Sequence, residues 1–114
     1  MIGLGDKMAD KLIQIAELVY QKTANGEINW EKTPDDNTFQ TSFPRYSVLV
    51  QDANDTIVFK ICNEEGQVIE RLSEGQASNA GFANLRDLYV TARRTAMGVD
   101  EALDEILQTL ARRS

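Results

Sequence analysis

Hydrophobic positions along this chain follow two periods. Leu4, Met8, Leu12, Ile15 and Val19 recur every three or four residues, while Asp6, Asp10, Gln14, Glu17 and Gln21 fall between them. That spacing lays one apolar stripe along a helix, because about 3.6 residues complete a turn. Asn25-Gly26 predicts the end of this helix near Ala24, since glycine readily takes the left-handed conformation that closes a helix. Beyond it the period falls to two. Tyr46, Val48 and Val50 alternate, and so do Ile57, Phe59 and Ile61, which places alternate side chains on one side of a sheet.

Strands are predicted near 28–33, 38–43, 46–52, 56–63 and 67–72, and each interruption has a chemical reason. Pro34-Asp35-Asp36-Asn37 combines a fixed φ with side chains that bond their own backbone; Ala53-Asn54-Asp55 does the same more weakly; Glu64-Glu65-Gly66 ends on a residue free to take positive φ. Links this short favour antiparallel hairpins over crossovers. Phe43-Pro44 is expected to end or bend a strand, because proline has no N–H for the ladder.

Residues 73–80, rich in Ser, Gly, Gln, Ala and Asn, read as a connection. Helical spacing returns with Phe82, Leu85, Tyr89, Ala92 and Ala96, predicting a helix from about Gly81 to Met97. Gly98 is expected to break it before a third helix, Val99 to Arg112, which carries Val99, Leu103, Ile106, Leu107 and Leu110; the alternative is one long helix with Gly98 inside it at a cost of about 1 kcal/mol. Asp100, Glu101, Asp104 and Glu105 crowd the beginning of that helix and Arg112 and Arg113 its end, as the helix dipole prefers. The expected fold is α+β, a single domain over 1–114. An N-terminal helix, a four- to five-stranded antiparallel meander sheet and two C-terminal helices packed on one face make it up. Ile57, Phe59, Ile61, Leu85, Leu88, Tyr89, Leu103, Ile106 and Leu107 are expected to be buried.

Composition narrows the class. With 114 residues, 42% apolar and 26% charged, the chain has ordinary globular usage and enough length for one core without disulfide or metal support. No apolar run approaches the roughly 18 residues of a spanning helix, and Met1 to Lys11 mixes charges into its apolar pattern. A cytoplasmic protein without membrane association is the expectation. The single cysteine, Cys62, stands beside Phe59, Lys60 and Ile61 and reads as a strand residue. There is no histidine, so the usual general base and the commonest zinc ligand are missing.

The net charge of −6 is unevenly spread: residues 1–72 carry 12 acids and 7 bases, and residues 73–114 carry 6 and 5. Only the C-terminal helices offer a basic patch. Arg86 and Arg93, two turns apart on one helix, together with Arg94 and the terminal Arg112 and Arg113, are the candidates for contacting phosphate; the competing reading pairs them with nearby acids. Asp52, Asn54 and Asp55 begin like a calcium loop, but Ile57 stands where its glycine is needed and Asn63 where its bidentate glutamate belongs. Glu31, Asp35 and Asp36 beside Trp30 form an acidic cluster that a hairpin turn explains as well as catalysis does. Trp30, Phe39, Phe43, Tyr46 and Phe59 occupy strand positions, where aromatics first serve the core.

Leu88 to Leu103, with Trp30-Glu31-Lys32-Thr33 and the Asn63-Glu64-Glu65-Gly66 turn, resembles small bacterial α+β proteins to which no activity is attached. The resemblance implies a bacterial cytoplasmic origin and no particular site. In outline only, small size, acidity and helix-sheet-helix order are also similar to type III secretion chaperones.

Taken together these features favour a non-catalytic protein-interaction or adaptor module, acting as a homodimer or on a protein partner, with no cofactor and no metal. Val48, Val50 and Val58 are the expected partner-facing residues, as part of a second apolar set on strands whose other face meets helices. Two alternatives remain: a nucleic-acid-binding module using Arg86, Arg93 and Arg94, and a ligand-binding or enzymatic domain with a pocket lined by Trp30, Tyr46 or Tyr89.

Overall fold

The computed structural model describes residues 4–113, with side chains from Lys11 to Arg113. Its elements run α1 (Leu4–Ala24), β1 (Glu31–Lys32), β2 (Thr38–Ser42), β3 (Ser47–Ala53), β4 (Thr56–Cys62), β5 (Val68–Ser73), α2 (Glu74–Asn79), α3 (Leu85–Ala96) and α4 (Val99–Arg112). The five strands form one antiparallel sheet in chain order. The fold is α+β as expected, with an N-terminal helix, a five-stranded meander sheet and two C-terminal helices packed against it; these two are α2 and α3, whereas α4, expected on the same face, packs on α3.

Local chemistry sets each boundary. At the end of α1 the Glu27 N–H donates to the Lys22 carbonyl at 2.9 Å and the Gly26 N–H to the Thr23 carbonyl at 3.1 Å, with Gly26 at φ 75°. This crossed pair satisfies carbonyls that the helix end would otherwise strand. Asn54 and Asp55, at φ 53° and 71°, make the two-residue turn between β3 and β4, whose twist suits a hairpin. The Asp52 carboxylate accepts the Asp55 N–H at 2.8 Å and holds that turn.

The segment 73–80, expected to be a connection, contains α2. Ser73 caps it by accepting the Gln76 N–H, while the Gln76 side chain accepts the Ser73 N–H. The Ser-x-x-Gln spacing of this reciprocal cap was legible in the sequence. The break at Gly98 is as expected: this residue, at φ 63°, separates α3 from α4.

Strand register determines where the core lies. Phe39, Val50, Phe59 and Leu72 stand directly across from one another on four strands, so they share the face on which α3 lays Leu85, Leu88, Tyr89 and Ala92. The Phe39 and Tyr89 rings lie 5.7 Å apart across that boundary. From α1, Leu12, Ile13, Ala16 and Val19 complete the cluster, and the Tyr20 hydroxyl donates to Asp87 of α3 at 2.6 Å. Ile57, Phe59, Leu85, Leu88 and Tyr89 are buried as expected, and Ile61 is partly so. Two expectations fail. Ile15 is exposed, because Ile13 and Ala16 turn the stripe of α1 toward the core. Leu103, Ile106 and Leu107 are exposed, because among the described residues α4 meets α3 alone to any substantial extent and has no buried residue. Leu4, Met8, Asp6 and Asp10, assigned to opposite faces of α1, have side chains outside the described residues.

Candidate functional site

The valines expected to face a partner do not share a face. Register sets Val50 beside Phe59 and Val48 beside Ile61, so both point into the helix-covered core, where both are buried. Val58 lies on the other face, in line with Gln51 and Ser73, and is half-buried. Alternation within each strand defines two faces but not which face of one strand continues into which of the next. The two-residue Asn54-Asp55 turn decides that, and it brings Val48 and Val50 onto the side of Phe59. What remains on the outer face is mainly polar: Gln40, Lys60 and Arg71 flank Leu49. That is the usual composition of a solvent-facing antiparallel sheet.

Of the three arginines expected to contact phosphate, Arg86 and Arg94 are paired with carboxylates. Arg86 Nε and Nη2 donate to the Glu74 carboxylate, each at 2.9 Å, and Nη2 also donates to the Asp55 carbonyl at 2.7 Å. Glu74 additionally accepts the Ile57 N–H at 3.1 Å. The guanidinium thus clamps the beginning of α3 to α2 and to the β3–β4 turn, with the forked geometry that suits arginine to carboxylates. Arg86 holds the Glu74 carboxyl below its ordinary range, burial opposing and the Ile57 N–H assisting. Arg94 donates to Asp100 at 2.8 Å across the Gly98 break. Arg93 has no ion pair among the described residues and borders a cleft of ≈ 360 Å³ beside Lys32, Asp35 and Asp36.

Among the acidic candidates, Asp35 serves a turn. Asp35 accepts the Thr38 hydroxyl at 2.7 Å, the Asn37 N–H at 3.0 Å and the Gln51 amide at 3.2 Å. These bonds, the Thr38 hydroxyl foremost, hold its carboxyl below the usual range. Trp30 turns away from it into the core and donates to the Thr23 hydroxyl at 3.0 Å. Tyr89 is also a core residue, whereas Tyr46 is exposed and lines a shallow depression on the β2–β3 hairpin. The three aromatics expected to line a pocket therefore do not converge. Among the described residues, no group of three or more His, Cys, Asp or Glu is arranged to hold a metal ion, and no helix is long and apolar enough to cross a membrane.

The feature that stands out is α4. Leu103, Ile106, Leu107 and Leu110 are 48%, 54%, 65% and 58% exposed, at spacings that align them along one side of the helix. A contiguous apolar ridge is unusual on a solvated surface. The sequence shows these residues as a stripe but not their exposure, because periodicity reports that a face is apolar and not what covers it. No family model matches the chain, and no curated protein or solved structure is significantly similar to it.

Proposed function

We propose that this protein is a non-catalytic protein-interaction module, an adaptor or regulator, whose docking element is the apolar ridge of α4. The observation that supports this reading is the exposure of four large aliphatic side chains on a 14-residue helix with no buried residue. An apolar helix face laid against a partner's groove or helix is a recurring recognition mode. Removing these side chains from water would supply its main driving force. The nucleic-acid alternative loses support from the pairing of Arg86 with Glu74 and of Arg94 with Asp100, and from a net charge of −6 that repels polyanions. A bacterial cytoplasmic setting fits the resemblance noted above and a lone buried thiol.

Capture from a native lysate on immobilised protein tests the reading. The expected result is a retained partner, an untagged copy of the same chain included, that is lost with Leu103→Glu/Leu107→Glu and kept with Val58→Thr on the outer sheet face. Retention indifferent to the α4 substitutions, or no retention, overturns it.

A further inference from the structure

We infer that α4 pairs with α4 of a second copy of this chain in antiparallel orientation; the inference rests on α4 being the docking element and names its occupant. Charge selects that occupant. Asp100, Glu101, Asp104 and Glu105 fill the first two turns of α4, and Arg112 and Arg113 stand at its end. Two such helices laid side by side in opposite directions set each acidic end against a basic one and oppose their dipoles. Laid in the same direction, they would set acidic end against acidic end, with Glu101, Asp104 and Glu105 facing their copies and only Asp100 paired, to Arg94 of its own chain. The ridge also suits its own copy: Leu103, Ile106 and Leu110, with the half-buried Val99 one turn before them, follow the alternating four- and three-residue steps of a two-helix seam, and Leu107 flanks it.

Shape agrees with charge. A shallow depression of ≈ 370 Å³ runs along α4 itself, with the small side chains of Ala102 and Thr109 beside the bulkier Ile106 and Leu110. Such a gap receives a large aliphatic residue from a facing helix. A lipid surface is a poorer match, because helices that lie on anionic membranes carry Lys and Arg on their polar face, whereas acids outnumber arginines on α4. At 14 residues, roughly 21 Å of helix, the seam is shorter than a standard interface requires, so the dimer is expected to exchange and to depend on concentration.

Solution mass of the purified chain over a concentration series is the first test. The expected mass rises from 12.8 kDa toward twice that value, and Leu103→Glu/Leu107→Glu keeps it at the monomer value. Circular dichroism melts should show this variant folded, since it changes no buried residue. A wild-type monomer at every concentration, or a dimer unmoved by the substitutions, overturns the inference. If lysate capture remains α4-dependent in that monomer, the interaction reading survives and the occupant is another protein. If capture also fails, both fall.

Orientation is read by mixing two single variants, Ala102→Cys and Thr109→Cys, under mild oxidation, with the buried Cys62 left in place and wild type as the control. Antiparallel pairing links the two variants to each other. Self-linking of each variant in preference to the mixed product overturns the antiparallel arrangement.

Discussion

α3 and α4 are consecutive amphipathic helices of 12 and 14 residues, separated by Met97 and Gly98. α3 buries Leu85, Leu88, Tyr89 and Ala92 against β1 to β4 and α1, while α4 exposes Leu103, Ile106, Leu107 and Leu110. Composition does not separate them, since both offer an apolar face to whatever can accept it. Supply does. The sheet has one core face; α2 and α3 cover it and α1 packs on α3 in the same buried cluster before the chain arrives at Gly98. An amphipathic pattern is therefore a statement of need, and the remaining capacity of the fold decides whether the same chain meets it.

The largest expected effect tests that contrast directly. Leu88→Ala, at a fully buried position, should cost about 2–5 kcal/mol through lost transfer energy and the cavity left behind. Leu107→Ala, on α4, should change stability by less than about 0.5 kcal/mol in dilute protein. Urea unfolding with an unchanged slope measures both. A large loss at Leu107 in a monomer would mean that α4 folds back onto its own chain, and the contrast between the helices would collapse.

Glycine at the two helix ends sharpens it further. Gly26 and Gly98 both have positive φ, 75° and 63°, where a Cβ costs about 1 kcal/mol. The end of α1 is fixed by its crossed hydrogen bonds and by Trp30 donating to Thr23, so Gly26→Ala should lose about that amount. The direction of α4 is held by few contacts and the exposed Arg94–Asp100 pair. Gly98→Ala should therefore lose less, by letting α3 and α4 straighten into one helix. Circular dichroism would register added helix, and small-angle scattering a radius of gyration above that of the wild type. Equal losses at the two glycines would show α4 to be anchored.

The same difference explains what the sequence revealed. Strand positions, the end of α1, the break at Gly98 and the α3 core were legible because each depends on neighbours along the chain: a turn pair, a glycine, a repeat of three and four. Ser73 and Gln76 carried a readable cap whose signal was hidden by the loop-like composition around it. The face of Val48 and Val50 is not legible in the sequence, because cross-strand register, set by Asn54 and Asp55, is a relation between strands. The roles of Arg86 and Arg94 depended on which carboxylate the fold brings within reach, and for Arg86 that is Glu74, twelve residues away and on another helix.

The smallest effect concerns that clamp, which fastens α3 and has no counterpart of equal reach on α4. Glu74 is held below its ordinary range by Arg86 and the Ile57 N–H. A depressed carboxylate stabilises the folded state in full above its unfolded pKa, and the contribution disappears as pH falls through the folded value. Glu74→Gln should thus cost about 1 kcal/mol near neutrality and progressively less as the wild type is acidified, the two unfolding free energies converging once Glu74 is protonated in both states. The variant keeps a residual acid slope from Asp35, whose carboxyl is also held low, chiefly by Thr38. Asp100→Asn, which removes the more exposed Arg94 pair on α4, should shift neutral stability by a few tenths of a kcal/mol, as surface pairs do. If Asp100→Asn cost as much as Glu74→Gln, α4 would be fastened to the body as firmly as α3, and its ridge would lack the freedom to meet a second copy.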